Sequence, residues 1–219
     1  MDRASASQRT RNIVIEPVGL EGMLGLPDAS TGIVLFAHGS GSGRFSPRNN
    51  FVAQALRKAG FATLLFDLLT EDEAQDRANV FDIPLLAGRL EMATNWVKQD
   101  RETAVLPIGY FGASTGAAAA LVAAASATHP IGAVVSRGGR PDLAGPALAR
   151  VTAPTLLIVG GDDLTVLELN RAALSELRCE KHLAVVPGAT HLFEEPGTLE
   201  AVVDLASKWF ASHLTMEAQ

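Results

Sequence analysis

The sequence predicts an α/β protein with one mostly parallel β-sheet and helices on both of its faces. Six short runs are apolar almost throughout, which is typical of strands that are buried on both sides. Helical patterns separate these runs, and this alternation indicates right-handed βαβ crossovers. The predicted strands are residues 33–37, 62–67, 106–111, 132–136, 155–159 and 183–186.

Five further segments are predicted to be helices, most of them from apolar residues spaced at three and four. They are residues 49–60, 83–99, 115–127, 166–177 and 198–214. Residues 13–27 predict a hairpin of edge strands, and residues 1–12 are expected to be a flexible N-terminal tail. The chain has 219 residues and shows no repeat, linker or compositional break, so we expect one domain, residues 1–219.

The composition argues against several classes of function. The net charge is −6, so the chain lacks the excess of basic residues that is typical of nucleic-acid-binding proteins. The amino-terminal segment is charged and has no apolar core, so no secretory signal is expected, and no apolar run is long enough to span a membrane. Cys179 is the only cysteine, which excludes an internal disulfide and a zinc-binding set of cysteines. We therefore expect a cytoplasmic protein without nucleic-acid or membrane partners, and the sequence sets no oligomeric state.

Ser114 is the candidate nucleophile. It lies in Gly112-Ala113-Ser114-Thr115-Gly116, a G-x-S-x-G pattern between a predicted strand and a predicted helix. In a nucleophile elbow the serine occupies a tight strand-to-helix turn, and glycines two residues away avoid a collision. The alternative interpretation is a glycine-rich turn whose serine only caps the helix.

His191 is the candidate base that would take the proton from the serine hydroxyl. Ligands of a parallel sheet gather beyond the carboxyl ends of its strands, and His191 follows the last predicted strand. His182 precedes that strand, His129 ends the helix after the elbow on the wrong side, and His213 lies in the last predicted helix near the terminus. A solvent-exposed loop histidine is the alternative.

The acid that orients the base is expected between Ser114 and His191 in the chain. Asp162 and Asp163 follow the strand that ends near Val159, and we predict Asp163 as the acid and Asp162 as a surface or capping residue. Asp142 is a third candidate, although Pro141-Asp142 is more typical of a helix start.

The glycine-rich loop "HGSGSGRFSPRNN", which begins at His38, follows the strand that ends at Ala37. Its glycines allow the backbone to approach a ligand, which suits an oxyanion hole with the N–H groups of Ser40 and Thr115 as donors. A phosphate-binding loop is the alternative, but the Lys-Ser/Thr ending of a P-loop is missing.

The ordered set of His38-Gly39, the Ser114 elbow, Gly161-Asp162-Asp163 and His191 resembles the α/β-hydrolase superfamily. The strings "HGSGSGRFSPRN", "GYFGASTGAAAAL", "SRGGRPDLAG" and "GATHLFEEPGTLE" resemble its bacterial dienelactone-hydrolase-like group, over about residues 33–214. The resemblance implies a Ser114–His191–Asp163 triad without metal or organic cofactor, acting on a small-molecule ester. The nucleophile of dienelactone hydrolases proper is a cysteine; serine favours simple carboxylic esters, with lactones as further candidates.

A lid domain is not expected, because the resemblance places such a cap after the strand that ends near Ser136, where only residues 137–140 precede the next helical start. The segment 69–102 offers a small rim with Phe81, although its acidic run is more typical of a solvated face. His38, Gly39, Phe81 and Arg137 are the predicted substrate-binding residues. Arg137 and Arg140 suit a substrate carboxylate or, alternatively, salt bridges and carbonyl contacts that hold their loop.

Ester hydrolysis is the favoured function. An acyltransferase or perhydrolase would use the same three side chains and a different acceptor for the acyl group. A non-catalytic binding protein with this fold is a further alternative, but such proteins usually lose a triad member, and all three are present here.

Overall fold

An eight-stranded sheet forms the centre of the computed structural model, which describes residues 8–214. The strand order is β1-β2-β4-β3-β5-β6-β7-β8. Strands β3 to β8 are parallel, whereas β1 and β2 form an antiparallel hairpin at one edge. The strands are β1 Gln8–Ile15, β2 Leu20–Pro27, β3 Gly32–Ala37, β4 Phe61–Phe66, β5 Ile108–Ala113, β6 Ile131–Arg137, β7 Thr155–Gly160 and β8 Lys181–Val186.

Helices cover both faces of this sheet. Helices α1 and α7 pack on one face, and α4, α5, α6 and a 3₁₀ segment pack on the other. The helices are α1 Pro47–Lys58, α2 Glu71–Gln75, α3 Arg77–Val80, α4 Ile83–Gln99, α5 Thr115–Ser126, α6 Leu164–Glu176 and α7 Thr198–His213, and the 3₁₀ segment is Pro141–Arg150.

The predicted strands and helices are all present, with ends that shift by a few residues. One expectation for the amino terminus is wrong in part. Residues 8–12 belong to β1, where they pair with β2 from Met23 to Pro27, and are not a flexible tail. Each residue of this segment pairs with a residue of β2. The polar residues before Ile13 have no strand pattern, so the sequence does not predict this pairing. The rest of the predicted tail, residues 1–7, lies outside the described part of the chain.

The core explains why the parallel strands read as unbroken apolar runs. Every residue of β3, β4, β5 and β7 is buried. Helix α5 approaches the sheet closely because its first turns are alanines, and Ala117 to Ala120 have no exposed surface. The carboxyl ends of β3 to β8 therefore open at one rim, where ligands of such sheets bind.

The connections at this rim are short. Strand β6 ends at Arg137 and the 3₁₀ segment begins at Pro141, so no lid domain interrupts the chain there. Within residues 8–214, no helix combines the length and the apolar character that crossing a membrane requires.

Candidate active site

Ser114 occupies the turn between β5 and α5. Its backbone angles are φ 50° and ψ −123°, a strained conformation that L-residues rarely adopt. This is the geometry of a nucleophile elbow, in which the serine side chain is held at the tip of a sharp strand-to-helix turn. The side chain is partly exposed, while its neighbours Ala113 and Thr115 are buried.

The two flanking glycines are required by close backbone contacts. A Cβ on Gly112 would lie 2.4 Å from the Cα of Ala117, in the first turn of α5. A Cβ on Gly116 would lie 2.2 Å from the carbonyl oxygen of Ala37, at the end of β3. Larger residues at either position would push α5 away from the sheet and open the elbow.

His191 and Asp163 form a hydrogen-bonded pair on neighbouring loops. Asp163 follows β7 and His191 follows β8, and the distance from His191 Nδ1 to Asp163 Oδ2 is 2.7 Å. The carboxylate is the less exposed partner, with 14% of its side chain exposed against 40% for the imidazole. Asp162 points to solvent, and Asp142 is held by Arg140 through bonds of 2.9 and 2.7 Å. Asp163 is thus the only one of the three candidates that contacts His191.

Ser114 and His191 lie on either side of the end of β6. The N–H of Ser114 donates to the carbonyl oxygen of Arg137 at 3.3 Å. A Cβ on the next residue, Gly138, would lie 3.7 Å from His191 Nδ1. The Ser114 hydroxyl makes no hydrogen bond to any residue in 8–214, so the serine–histidine bond is not formed in this structure. Catalytic hydrogen bonds are often long before substrate binds and shorten in the complex.

Both predicted oxyanion-hole donors lie beside Ser114. Thr115 is the first residue of α5, so its N–H has no acceptor within the helix. The N–H of Ser40 donates to the Thr115 hydroxyl at 3.0 Å. A substrate oxygen would have to share or replace this hydroxyl as the acceptor. Gly39 allows the close approach, since a Cβ there would lie 2.9 Å from Ser114 Cβ.

His38 fixes the loop that carries Ser40. Its Nε2 accepts a hydrogen bond from the N–H of Leu68 at 3.0 Å, which places the proton on Nδ1, and Nδ1 donates to the carbonyl oxygen of Gly39 at 3.0 Å. Burial lowers the pKa of His38, and this favours the neutral ring that these two bonds require. Because the protein already uses both ring nitrogens, the imidazole holds the loop in place.

A cavity of about 670 Å³ adjoins these donors, within the size range of small-molecule sites. Its wall includes His38, Gly39, Ser40 and Thr115, whereas Ser114 and His191 are not part of the lining. The loop after β4 and helix α2 also contribute to the lining. Arg44 also lines this cavity and pairs with the carboxylates of Asp67 and Glu21.

The segment between β4 and α4 forms part of this wall. Its acidic run is therefore more than a solvated face, because Glu71 and Asp72 line the cavity. Val80, rather than Phe81, contributes the apolar contact from α3. Phe81 is 47% exposed and lies under the guanidinium of Arg77, so its contact with substrate stays a prediction.

The arrangement offers a hydroxyl on a strained turn, a carboxylate-oriented imidazole and two backbone N–H groups near the hydroxyl. These groups are the components of acyl transfer through a covalent intermediate. In the part of the chain from residue 8 to residue 214, no group of three or more His, Cys, Asp and Glu side chains is placed to hold a metal ion.

A parallel sheet with a serine elbow after β5 and an Asp–His pair after β7 and β8 defines an α/β hydrolase. The model of the dienelactone hydrolase family matches residues 20–212. The chain therefore belongs to the dienelactone hydrolase family.

Solved structures show the same relationship. A dienelactone hydrolase from Anabaena variabilis is 54% identical, with a TM-score of 0.90, and the match covers 95% of this chain and 99% of that one. A dienelactone hydrolase-like promiscuous phosphotriesterase from metagenomic libraries is 18% identical, with a TM-score of 0.75, and the match covers 95% of this chain and 99% of that one. The second similarity supports the fold alone.

Two curated relatives from Mycobacterium tuberculosis strains are each 62% identical over 202 residues. Both are provisionally named phosphoribosyl transferases. The match covers 92% of this chain but only 46% of each relative, so the chain spans about half the length of these proteins.

Proposed function

We propose that this protein is a serine hydrolase that cleaves small carboxylic esters through Ser114, His191 and Asp163. The observation that carries the proposal is the 2.7 Å bond between Asp163 and His191, on the loops that follow β7 and β8, at the same rim as the strained Ser114 turn. Membership of a hydrolase family and the 54% identity to a dienelactone hydrolase support the reaction class.

In this mechanism His191 takes the proton of the Ser114 hydroxyl as the oxygen attacks the ester carbonyl. The Asp163 carboxylate accepts the Nδ1–H bond, which leaves Nε2 as the base and stabilises the imidazolium that forms. The negative oxygen of the tetrahedral intermediate accepts bonds from the N–H groups of Ser40 and Thr115, each worth about 3 kcal/mol of the barrier. The same histidine then returns its proton to the alcohol that leaves.

Water completes the reaction by attacking the acyl-enzyme, with His191 again as the base. The cavity beside Ser40 and Thr115 is large enough for a small acyl or alcohol group. Serine in place of cysteine supports simple esters as substrates, with lactones as further candidates.

The name of the mycobacterial relatives describes a different reaction. We infer that the half of those proteins that matches this chain carries hydrolase chemistry, and that the phosphoribosyl transfer in their name belongs to the part that this chain does not match. The dienelactone hydrolase structure supports this division, because its match to this chain covers 99% of its length.

Turnover of p-nitrophenyl acetate by Ser114→Ala tests the proposal. We expect kcat to fall by about 10⁴-fold or more, since the hydroxyl forms the covalent intermediate. The matched control is Ser175→Ala, which removes an exposed hydroxyl on α6. Retention of activity in Ser114→Ala, with circular dichroism unchanged, would refute the assignment.

Product analysis separates hydrolysis from acyl transfer. With an ester substrate in water that contains an alcohol or peroxide, a hydrolase yields mainly the free acid. Mainly transesterified or peracid product would instead identify an acyltransferase or perhydrolase with the same three side chains.

A further inference from the structure

Arg137 is a buried arginine for which the described part of the chain provides no acidic partner. It ends β6 and is 7% exposed. Its Nε and Nη1 atoms are enclosed, and no residue in 8–214 accepts a hydrogen bond from its guanidinium. Buried polar groups in native proteins are nearly always paired, and one that lacks a protein partner points to a bound water or ion. A buried guanidinium has an especially high desolvation cost when it stays unpaired.

The charged group that acts on Arg137 is itself positive, the guanidinium of Arg48. Burial and, to a smaller extent, the charge of Arg48 together lower the pKa of Arg137 to about 10, and no acidic residue raises it. At neutral pH the guanidinium is therefore still charged. Arg48 lies in the first turn of α1, where the helix dipole adds partial positive charge. A helix amino end with nearby arginines is the arrangement that oxyanions prefer.

The nearby carboxylates are engaged elsewhere. Glu194 pairs with Arg48 at 3.2 Å, but 63% of the Glu194 side chain is exposed, so this pair is weak and open to exchange. Glu195 accepts bonds from the N–H and the hydroxyl of Thr190 at 3.1 and 2.6 Å. Neither side chain forms a hydrogen bond or an ion pair with Arg137.

We propose that Arg137 and Arg48 form a binding site for a small oxyanion, a phosphate or a carboxylate, at the amino end of α1. The site is separate from the 670 Å³ cavity, because β3 and β5 lie between β6 and β4 in the sheet and Arg137 is not part of the cavity lining. The oxyanion site does not rest on the proposed esterase activity, so different measurements test the two proposals.

An anion at this position would stabilise the loop that carries His191. The guanidinium of Arg137 lies 5.9 Å from the ring centroid of Phe193, two residues after His191. Phe193 has a φ of 55°, a conformation that its surroundings have to maintain. An anion bound by Arg137 and Arg48 would hold the Arg137 guanidinium in place against the Phe193 ring. This contact would then help to keep the loop after β8 in its conformation.

Isothermal titration calorimetry with inorganic phosphate tests the site, with ionic strength held constant by chloride. We expect saturable binding of one phosphate per chain and a melting temperature raised by about 3–6 °C at ten times the Kd. Arg48→Ala should weaken binding about tenfold, Arg137→Met should abolish it, and Glu194→Gln should strengthen it by removing a competitor. Arg171→Ala, which removes an exposed arginine paired with Glu168, is the matched control and should bind as the wild type does.

A parallel titration with acetate distinguishes the two oxyanions. Binding of both identifies a general carboxylate and phosphate site, and binding of phosphate alone identifies a site for a doubly charged ligand. Absence of saturable binding of either ion would overturn the proposal. An unchanged Kd in Arg48→Ala would also overturn it, and this holds even if Arg137→Met fails to fold, because the Arg48 side chain is 36% exposed and outside the core.

Discussion

Two adjacent aspartates, Asp162 and Asp163, differ in what their side chains contact. Asp162 and Asp163 follow the same strand, but the N–H of Asp162 donates to the carbonyl oxygen of Ala189 and its side chain faces solvent. The chain then turns so that the Asp163 carboxylate reaches His191 Nδ1 at 2.7 Å. Asp163 is the residue before α6, yet its side chain makes no capping bond to that helix. Its carboxylate is therefore committed to the histidine.

Exchange of each carboxylate for its amide tests this assignment at the residue scale. Asp163→Asn should lower kcat for p-nitrophenyl acetate by about 10³–10⁴-fold, because an amide at this position favours the wrong histidine tautomer. Asp162→Asn changes only an exposed group and should leave kcat/KM within about twofold. Equal losses of kcat in the two variants, or a greater loss in Asp162→Asn, would show that Asp163 is not the acid of the triad.

At the scale of elements, the packing of α5 against β3 sets the elbow. The helix begins directly after Ser114, and Gly116 in its first turn lies against the carbonyl oxygens of Ala37 and His38. The same β3 end leads into the loop with Ser40, so one contact aligns the nucleophile with an oxyanion donor. The His38 bonds to Leu68 and Gly39 hold the other side of that loop.

Gly116→Ala tests the importance of this contact. The new Cβ would lie 2.2 Å from a backbone oxygen, and overpacking of this kind should destabilise the fold by about 1–3 kcal/mol. Gly88→Ala is the matched control in α4, where a Cβ meets no atom within 4 Å, and it should stabilise the helix by up to about 1 kcal/mol. Urea denaturation measures both. A free energy of unfolding in Gly116→Ala equal to that of the wild type would show that the helix is not held against β3.

At the scale of the whole molecule, the strand order and the position of the site follow from patterns that the sequence displays. Apolar runs predict the parallel strands because both of their faces are buried, and the G-x-S-x-G spacing predicts the elbow because only glycine fits beside Ser114. The rule that ligands gather beyond the strand ends predicts Asp163 and His191 at one rim, and the two residues follow β7 and β8 there.

Other features depend on side-chain positions that spacing does not specify. The bond from Ser40 N–H to the Thr115 hydroxyl requires a particular rotamer, and the two bonds of His38 require a loop from β4 that is distant in sequence. The unpartnered state of Arg137 is visible only once every neighbour is known. The sequence predicts the first strand only from Ile13, because residues 8–12 are mostly polar and have no strand pattern of their own; pairing with β2 is what makes them part of β1.

The central claim is that His191 activates Ser114 although the two residues are distant in sequence. Labelling with a fluorophosphonate, followed by mass spectrometry of the digested protein, measures this most directly. We predict a single adduct on Ser114 in the wild type, a labelling rate at least about 10²-fold lower in His191→Gln, and no change in His182→Gln, which alters an exposed histidine at the opposite edge of the sheet. An adduct elsewhere, or equal rates in the wild type and His191→Gln, would contradict the claim.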